Sequence, residues 1–510
     1  MELPLLIRSL LEPARHGADV AQVELVETHI SWVLLAGAYA YKIKKPITLP
    51  FLDFSTLALR KHFCEEELRL NQRFAPDIYL EVVGLYQSET GPQWHGTGEP
   101  LEYAVKMRRF DHNARLDHVC ARGGLTPELV SDLAHRVATL HASAAQAAPE
   151  AGWGTPALVL AQALENFDDL HTMLGQHPVQ QRLQALRAWT LQQHAHLAPL
   201  MQTRLQQGMV RECHGDLHLA NMVLLDQTVR LFDCLEFKDT LRWIDTTSDI
   251  AFTYQDLLAH GKPGLANWFI NEVLEASGDY GAAPLLRFYA VYRALVRAKV
   301  AAVHYLQHGE PLEHTLQCVA LAEQLATAQP LHLLITHGVS GCGKTYRTSQ
   351  MLQDDGRAPM LRLRSDVERK RLFHLPALGH SGSGLHAGLY SAAANAATYA
   401  HLSDTADALL HAGWSVVVDG TFLHRAQRDV FARLAQTHQA RFGILAPTAT
   451  EEALRSRVQA RMQRGDDASE ASLEVLQSQL ALQEPIEADE PVWPMDELPA
   501  LNLPGGASPR

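Results

Sequence analysis

The sequence predicts two folded regions of different class: an α+β region over residues 1–325 and an α/β region over residues 331–487. Three observations predict this. Residues 20–110 alternate in short apolar runs whereas residues 126–325 are mostly helical in pattern, so strands and helices segregate into a small sheet lobe and a larger helical lobe. From Leu331 onward, strand-like runs (LHLLITHG, MLRLRS, WSVVVDG, RFGILAP) alternate with helical runs, the pattern of a parallel sheet with helices on both faces. The 510 residues correspond to two to four domains at roughly 100–200 residues each.

In the first region, VELVETHISWVLL and AYAYKIKK read as strands, because β-branched and aromatic residues recur with polar partners. From Asp53 to Phe74 the pattern is helical. Leu57, Phe63, Leu68 and Leu70 recur near a 3.6-residue period, and Pro76 closes the run. Thr126-Pro127 is a helix start, with Thr as N-cap and Pro at the first helical position. DYGAAPLLRFYAVYRALVRAKVAAVHYL predicts a long amphipathic helix, and the boundary between the regions falls between Gln307 and Pro330. Residues 488–510 are rich in Pro, Gly and acidic side chains and are expected to form a loose tail.

Composition narrows the function classes. A hydrophobic fraction of 47% with 20% charged residues excludes a largely disordered chain. Lys+Arg is 44 and Asp+Glu is 57, a net charge of −13, which disfavours nucleic acid or an anionic membrane as partner. The 6 cysteines are scattered with no C-x-x-C pair, which argues against a disulfide framework or zinc site and suits a reducing compartment. The longest uncharged apolar stretch, Ile30 to Tyr41, falls short of the ~20 residues that span a bilayer. MELPLLIRSLLEP carries Arg8 in its middle and has no small-residue cleavage site, so no membrane partner and a cytoplasmic location are expected.

The strongest motif is GVSGCGKT at residues 338–345, which fits G-x-x-x-x-G-K-[ST] between an apolar strand and a helical run. Backbone N–H groups of Gly338, Ser340, Gly341, Cys342 and Gly343 are expected to curl around a phosphate at the helix start. Lys344 is placed to reach the β- and γ-phosphates of ATP, and the Thr345 hydroxyl to ligate Mg²⁺. Asp419 ends the strand VVVDG and is a candidate for the Mg²⁺ shell, or a strand-end cap. Asp366, in LRLRSDVERKR with Arg364, is a candidate to accept a proton from a substrate hydroxyl; Ser365 or Asp366 also fits a helix N-cap. Arg457 and Arg461, four apart on one helix face, form either a lid over a transferring phosphoryl or a solvated basic face. Asp467 and Glu470 read as the start of the last helix, with no chemistry assigned.

This segment, over about residues 331–484, resembles the small P-loop kinases of the zeta-toxin, gluconate-kinase and polynucleotide-kinase type. The resemblance implies an Asp near position 366 that activates an acceptor hydroxyl. It does not fix the acceptor.

A second constellation is HGDLHLAN at residues 214–221, followed by VRLFDCLEF. It parallels the order of a kinase catalytic loop: Asp216 beside the acceptor hydroxyl, Asn221 and Asp233 as Mg²⁺ ligands. His214 joins Asp216 in the candidate catalytic set, and His214 and His218 are read chiefly as holding the loop. Arg242, Asp245 and Asp249 look like pairing partners that buttress it.

Residues 20–310 resemble the aminoglycoside phosphotransferase and choline-kinase family, which has a protein-kinase-like fold. The resemblance implies a phosphate-binding lysine, Lys42 with Lys44 as competitor, and a helix glutamate, Glu67. It implies adenine near Val105 and Met107, in the segment YAVKMRRF. The stretch before Lys42 has no G-x-G-x-x-G. The whole chain resembles a bacterial fusion of an aminoglycoside-phosphotransferase-like domain with a zeta-toxin-like P-loop kinase, and so implies two ATP sites.

The expected function is an ATP- and Mg²⁺-dependent phosphotransferase with two modules and a small-molecule hydroxyl acceptor. Two alternatives stay open: a nucleotide-sensing switch in which one domain regulates the other or a partner, and a kinase for nucleic-acid ends, for which RSDVERKR and the Arg457 helix supply local basic patches.

Overall fold

A computed structural model describes residues 3–49, 52–379, 388–464 and 467–493. Internal contacts divide the chain into two compact units: Met1–Leu125, Thr139–Val159 and Ala198–Thr253, and Thr126–Ala138, Leu160–Leu197 and Tyr254–Arg510. No helix among the described residues is long and apolar enough to cross a membrane.

The first unit contains a six-stranded antiparallel sheet. Its strands are β1 Val23–Glu27, β2 Ser31–Ala36, β3 Tyr39–Lys44, β4 Tyr79–Ser88, β5 Gly91–Trp94 and β6 Glu102–Arg108, in the spatial order β1-β2-β3-β6-β4-β5. VELVETHISWVLL, read as one strand, is a hairpin: the Thr28 hydroxyl accepts from Ser31 N–H at 2.9 Å and the chain turns between β1 and β2. On β3, Tyr41 and Ile43 enter an apolar cluster with Ile7, Leu10, Trp32 and Leu34. Side chains alternate across a strand, so Lys42 and Lys44 face the other way, toward α1 (Leu57–Asn71). Thr56 caps α1 by accepting from Leu59 N–H at 3.2 Å. Later in this unit, residues 210–212 pair with 243–245, and β7 Met222–Leu225 pairs with β8 Thr228–Leu231 as a hairpin.

Helices α2 Pro127–Ser143, α3 Pro156–Leu174, α4 Val179–Gln206 and α5 Thr246–Ala259 contain the points at which the units divide. The second unit continues with α6 Pro263–Ser277, α7 Ala283–His308 and α8 Glu313–Ala326. The apolar faces of α3, α4, α7 and α8 form a core that includes Phe167, Leu170, Leu183, Val291, Leu295 and Val319.

The rest of the second unit is a four-stranded parallel sheet: β9 His332–Thr336, β10 Met360–Arg364, β11 Ser415–Asp419 and β12 Arg441–Leu445, in the order β10-β11-β9-β12. Every residue of β9 and β11 is buried, as expected for strands covered on both faces. The connecting helices are α9 Lys344–Gln353, α10 Ser365–Leu372, α11 Ala392–His411 and α12 Arg425–Thr437; α13 Glu451–Arg464 and α14 Leu473–Leu482 follow the sheet.

Both sheet edges are covered. Along β10, the Asn271 amide donates to Met360 O at 2.9 Å and accepts from Arg362 N–H at 2.6 Å, while Asn267 accepts from Met360 N–H at 3.0 Å. Two asparagines of α6 thus replace a neighbouring strand. Along β12, Trp493 N–H donates to Ile444 O at 3.0 Å and Ile444 N–H to Pro491 O at 2.9 Å. Residues 488–493, expected to start a loose tail, are therefore held: Glu490 also pairs with the buried Arg428 at 2.6 Å. Residues 494–510 lie outside the described residues.

Candidate functional site

The first site is built around Lys42. Its Nζ lies 2.8 Å from Glu67 Oε1 and 2.5 Å from Asp233 Oδ1. Lys44, fully buried, donates to Glu67 Oε2 at 2.8 Å and to Glu236. Glu67 thus holds one lysine on each oxygen. Burial opposes charge on both lysines, but the carboxylates outweigh it: Asp233 and Glu67 raise Lys42 well above the usual lysine range, and Glu236 and Glu67 raise Lys44. Burial pushes Glu67 up, yet Lys42 and Lys44 bring it below the usual carboxylate range. Glu236, with burial as the larger effect, is raised. Of the competing lysines, Lys42 is the one joined to Asp233.

Asp233 sits at φ +62°, in the left-handed region that Asp tolerates better than most residues. Its N–H donates to the Tyr79 hydroxyl at 3.0 Å. The β7–β8 hairpin brings its two ends together, with Phe232 N–H donating to Asn221 O at 3.0 Å, so Asp233 follows directly on a residue bonded to the 214–221 loop.

Within that loop, Asn221 Nδ2 donates to Asp216 Oδ2 at 2.9 Å, and His218 Nε2 lies 3.3 Å from the same oxygen. Asp216 N–H donates to His214 Nδ1 at 3.3 Å, which leaves Nε2–H of a neutral ring to donate to Phe232 O at 2.9 Å. Burial lowers the His214 pKa and keeps the ring in that form. His214 therefore shapes the loop rather than facing an acceptor. Gly215 is at φ +85°, and a Cβ there would lie 2.7 Å from Leu241 O, so the turn admits only glycine. Asp249, fully buried, accepts from His214 N–H and Gly215 N–H, each at 2.9 Å. Of the three expected buttresses, Asp249 bonds the loop in this way. Asp245 pairs with the buried Arg204 at 2.8 Å, and Arg242 with Glu212 and Asp239.

Val105, expected near adenine, stands within the sheet. It is fully buried and lies between Lys42 and Val82 on the neighbouring strands. Strand pairing continues through Arg108, so the segment leaving the sheet begins beyond Val105; Met107, half-buried, lies nearer to it.

The second site is a cavity of about 420 Å³ in the second unit. Ser340, Gly341, Gly343, Lys344 and Thr345 line it, together with Asp366, Asp419, Arg457 and Arg461. Gly338 and Cys342 do not. Gly338 N–H donates to Thr421 O at 3.0 Å, and Cys342 is buried in an apolar cluster with Val339, Leu423 and Leu454. The Gly338 N–H is thus already bonded within the fold, and the Cys342 side chain belongs to the core. Lys344 Nζ donates to Gly338 O and Val339 O, each at 2.9 Å, and Ser340 N–H donates to Gln479 Oε1 on α14 at 2.7 Å.

Asp419 ends β11 and is 4% exposed. Among the described residues its Oδ2 has no hydrogen-bond partner, so the carboxylate suits a cation. Asp366 lies in the first turn of α10; the N-cap is Arg364 and no side chain caps the helix, so neither Ser365 nor Asp366 serves as cap. Arg457 Nη1 donates to Gly341 O at 3.2 Å and Arg461 Nη2 to Ala471 O at 3.2 Å; both line the cavity, with Arg457 exposed and Arg461 half-buried. Asp467 and Glu470 precede the last helix, which Ser472 caps, and pair with Arg364 at 3.4 Å and Lys370 at 3.2 Å. Gln479 and Glu236 carry no signal in the sequence, because their partners Ser340 and Lys44 are distant in the chain and share no spacing with them.

Two protein-family models match the chain. Residues 64–271 match the family described as phosphotransferase enzyme family, and residues 333–486 match the AAA domain family. The chain carries both, a kinase-like fold followed by a P-loop-type parallel sheet. It is 29% identical over 453 residues to a Mycobacterium tuberculosis protein and, equally, to a Mycobacterium bovis protein, both described as uncharacterized. The match covers 88% of this chain and 89% of each relative. Among solved structures, the choline kinase LicA of Streptococcus pneumoniae is 12% identical, covering 63% of this chain and 99% of that one, with a TM-score of 0.39. An aminoglycoside phosphotransferase of Alicyclobacillus acidocaldarius is 15% identical, covering 64% and 94%, with a TM-score of 0.39. The two domain families imply phosphoryl transfer of the kinase type.

Proposed function

We propose, for a chain that carries a phosphotransferase-family domain and an AAA domain, that each domain transfers the γ-phosphate of ATP to a hydroxyl group of a small molecule. The observation that carries this reading is the bonding of Lys42 Nζ to both Glu67 and Asp233. A lysine held on two carboxylates is fixed in place to meet nucleotide phosphates, and the second carboxylate adjoins the loop of Asp216 and Asn221.

In the first domain, Asp216 orients the acceptor hydroxyl and accepts its proton, its own carboxylate steadied by Asn221. Asn221 and Asp233 are the residues that would hold Mg²⁺. In the second domain Thr345 and Asp419 fill that role, which the unpartnered Asp419 Oδ2 supports. When bound, the ion neutralises charge on the transferring phosphoryl. Lys344, Arg457 and Arg461 face the phosphates, and Asp366 takes the acceptor's proton. Catalysis in both rests on positioning and charge. The net charge of −13 supports a small-molecule acceptor over nucleic acid, and the free cysteines support a cytoplasmic location.

Calorimetric titration with a non-hydrolysable ATP analogue and Mg²⁺ tests the reading. Two binding sites are expected, with Lys42→Met removing one and Lys344→Ala the other. A single site lost in only one variant would reduce the account to one domain.

A further inference from the structure

At the carboxyl end of the C-terminal sheet, Arg364 closes β10 and Asp419 closes β11, and the two are register partners. Paired strands lie about 4.8 Å apart, so a guanidinium and a carboxylate at matched register are placed to form an ion pair. Arg364 makes its ion pairs with Glu275 and Asp467 instead, and Asp419 acts on it through its field alone. Arg364 Nη1 donates to Glu275 Oε1 at 2.9 Å and Nη2 to Asp467 Oδ1 at 3.4 Å. Asp419 Oδ2, buried, is left without a hydrogen-bond partner among the described residues. A buried carboxylate oxygen in that condition is costly unless a cation meets it.

The position of Glu275 is set by the seating of α6. Asn267 and Asn271 of that helix occupy the β10 edge. At its start, Gly264 approaches α9 so closely that a Cβ would lie 2.1 Å from Gln353 O. The Tyr280 hydroxyl, beyond its end, donates to Arg362 O at 3.3 Å. Arg362, 2% exposed, lies 3.4 Å from Glu275 Oε2. Burial works against charge on Glu275, but Arg364 and Arg362 outweigh it and keep the carboxylate ionised.

We propose that Glu275 is a positioning residue of the C-terminal site, which holds Arg364 off Asp419 and so keeps Asp419 open to a divalent cation. The proposal rests on the reading of that cavity as a metal–nucleotide site. With the charge of Glu275 removed, Arg364 is left with Asp467 and Asp419 as its neighbouring carboxylates, and it competes with the cation for Asp419.

The test is Mn²⁺ binding, followed by electron paramagnetic resonance in the presence of a non-hydrolysable ATP analogue. The full chain carries Asp233→Ala, so that only the C-terminal site reports. Glu275→Gln is expected to weaken Mn²⁺ binding roughly tenfold, the usual scale for a residue that supports a metal ligand. Arg364→Met is expected to retain or tighten it, and Glu275→Gln to have no further effect in the Arg364→Met background. Unchanged affinity in Glu275→Gln overturns the proposal, as does a weakening that persists without Arg364. Should Glu275→Gln fail to fold, Arg364→Met decides alone, because a loss of affinity there contradicts competition. Lys344→Ala separates the two levels: if it leaves nucleotide-dependent Mn²⁺ binding intact, the reading of the cavity itself fails.

Discussion

Lys42 and Asp233 are 191 residues apart in the chain and 2.5 Å apart in the fold. That contact ties strand β3 to the residue that follows the β7–β8 hairpin by two positions, and Glu67 fastens the same lysine to α1. Lys44 completes the network from below, with no exposure to solvent.

The two lysines are therefore predicted to separate by phenotype. Lys42→Met should reduce phosphoryl transfer at the first site by about 10²-fold or more, because a charge aimed at the phosphates is lost. Lys44→Met should instead act on stability, since it leaves Glu236 buried without its cation; breaking such a pair costs about 3–5 kcal/mol. Urea unfolding of both variants beside the wild type checks this. Equal destabilisation with equal loss of activity would contradict the assignment.

His214 makes stability depend on pH. Its folded pKa lies below the ordinary histidine value because burial disfavours the charged ring. The folded state then binds fewer protons than the unfolded one, so this contribution is present above about pH 6.5 and is lost as pH falls toward the folded value. The urea midpoint of the wild type should fall between pH 7 and pH 5.5, and less steeply in His214→Gln. Parallel profiles would show that other groups carry the dependence.

Ser340 N–H is held by Gln479 Oε1, an acceptor that stands where a phosphate oxygen would be received. Gln479→Ala should therefore tighten nucleotide binding at the second site by roughly two- to tenfold, the worth of one exchanged hydrogen bond. Titration in a Lys42→Met background measures it, and weaker binding would assign Gln479 to the binding surface instead.

Much of this was legible locally. GVSGCGKT, HGDLHLAN and VVVDG have fixed spacings because each forms one turn or one strand end, and all three stand where such spacing places them. The strand–helix alternation after Leu331 became a parallel sheet. Other features depend on contacts between distant residues. YAVKMRRF alternates without showing where its strand ends, and strand pairing runs through Val105 to Arg108 before the chain leaves the sheet. Gly338 carries the motif, but its N–H is committed to Thr421, which no local pattern records. Trp493 sits in a Pro-rich, acidic stretch and yet packs against Gly443 and pairs with β12.

The β10 edge offers a stability prediction. Asn271→Leu removes both the donor to Met360 O and the acceptor for Arg362 N–H. Leaving two buried backbone groups unpaired should cost about 2–4 kcal/mol. It also uncovers a strand edge, so light scattering on warming should show earlier aggregation than in wild type. Unchanged stability would mean that water or a shifted side chain replaces the asparagine.

Two phosphoryl-transfer sites are proposed for one chain. The most direct measurement is transfer of labelled γ-phosphate to a panel of hydroxyl metabolites and aminoglycosides, by wild type, Asp216→Ala and Lys344→Ala. The account predicts labelled products that divide between the variants, some lost with Asp216 and others with Lys344. ATP binding without any labelled acceptor, and turnover indifferent to both substitutions, would contradict it.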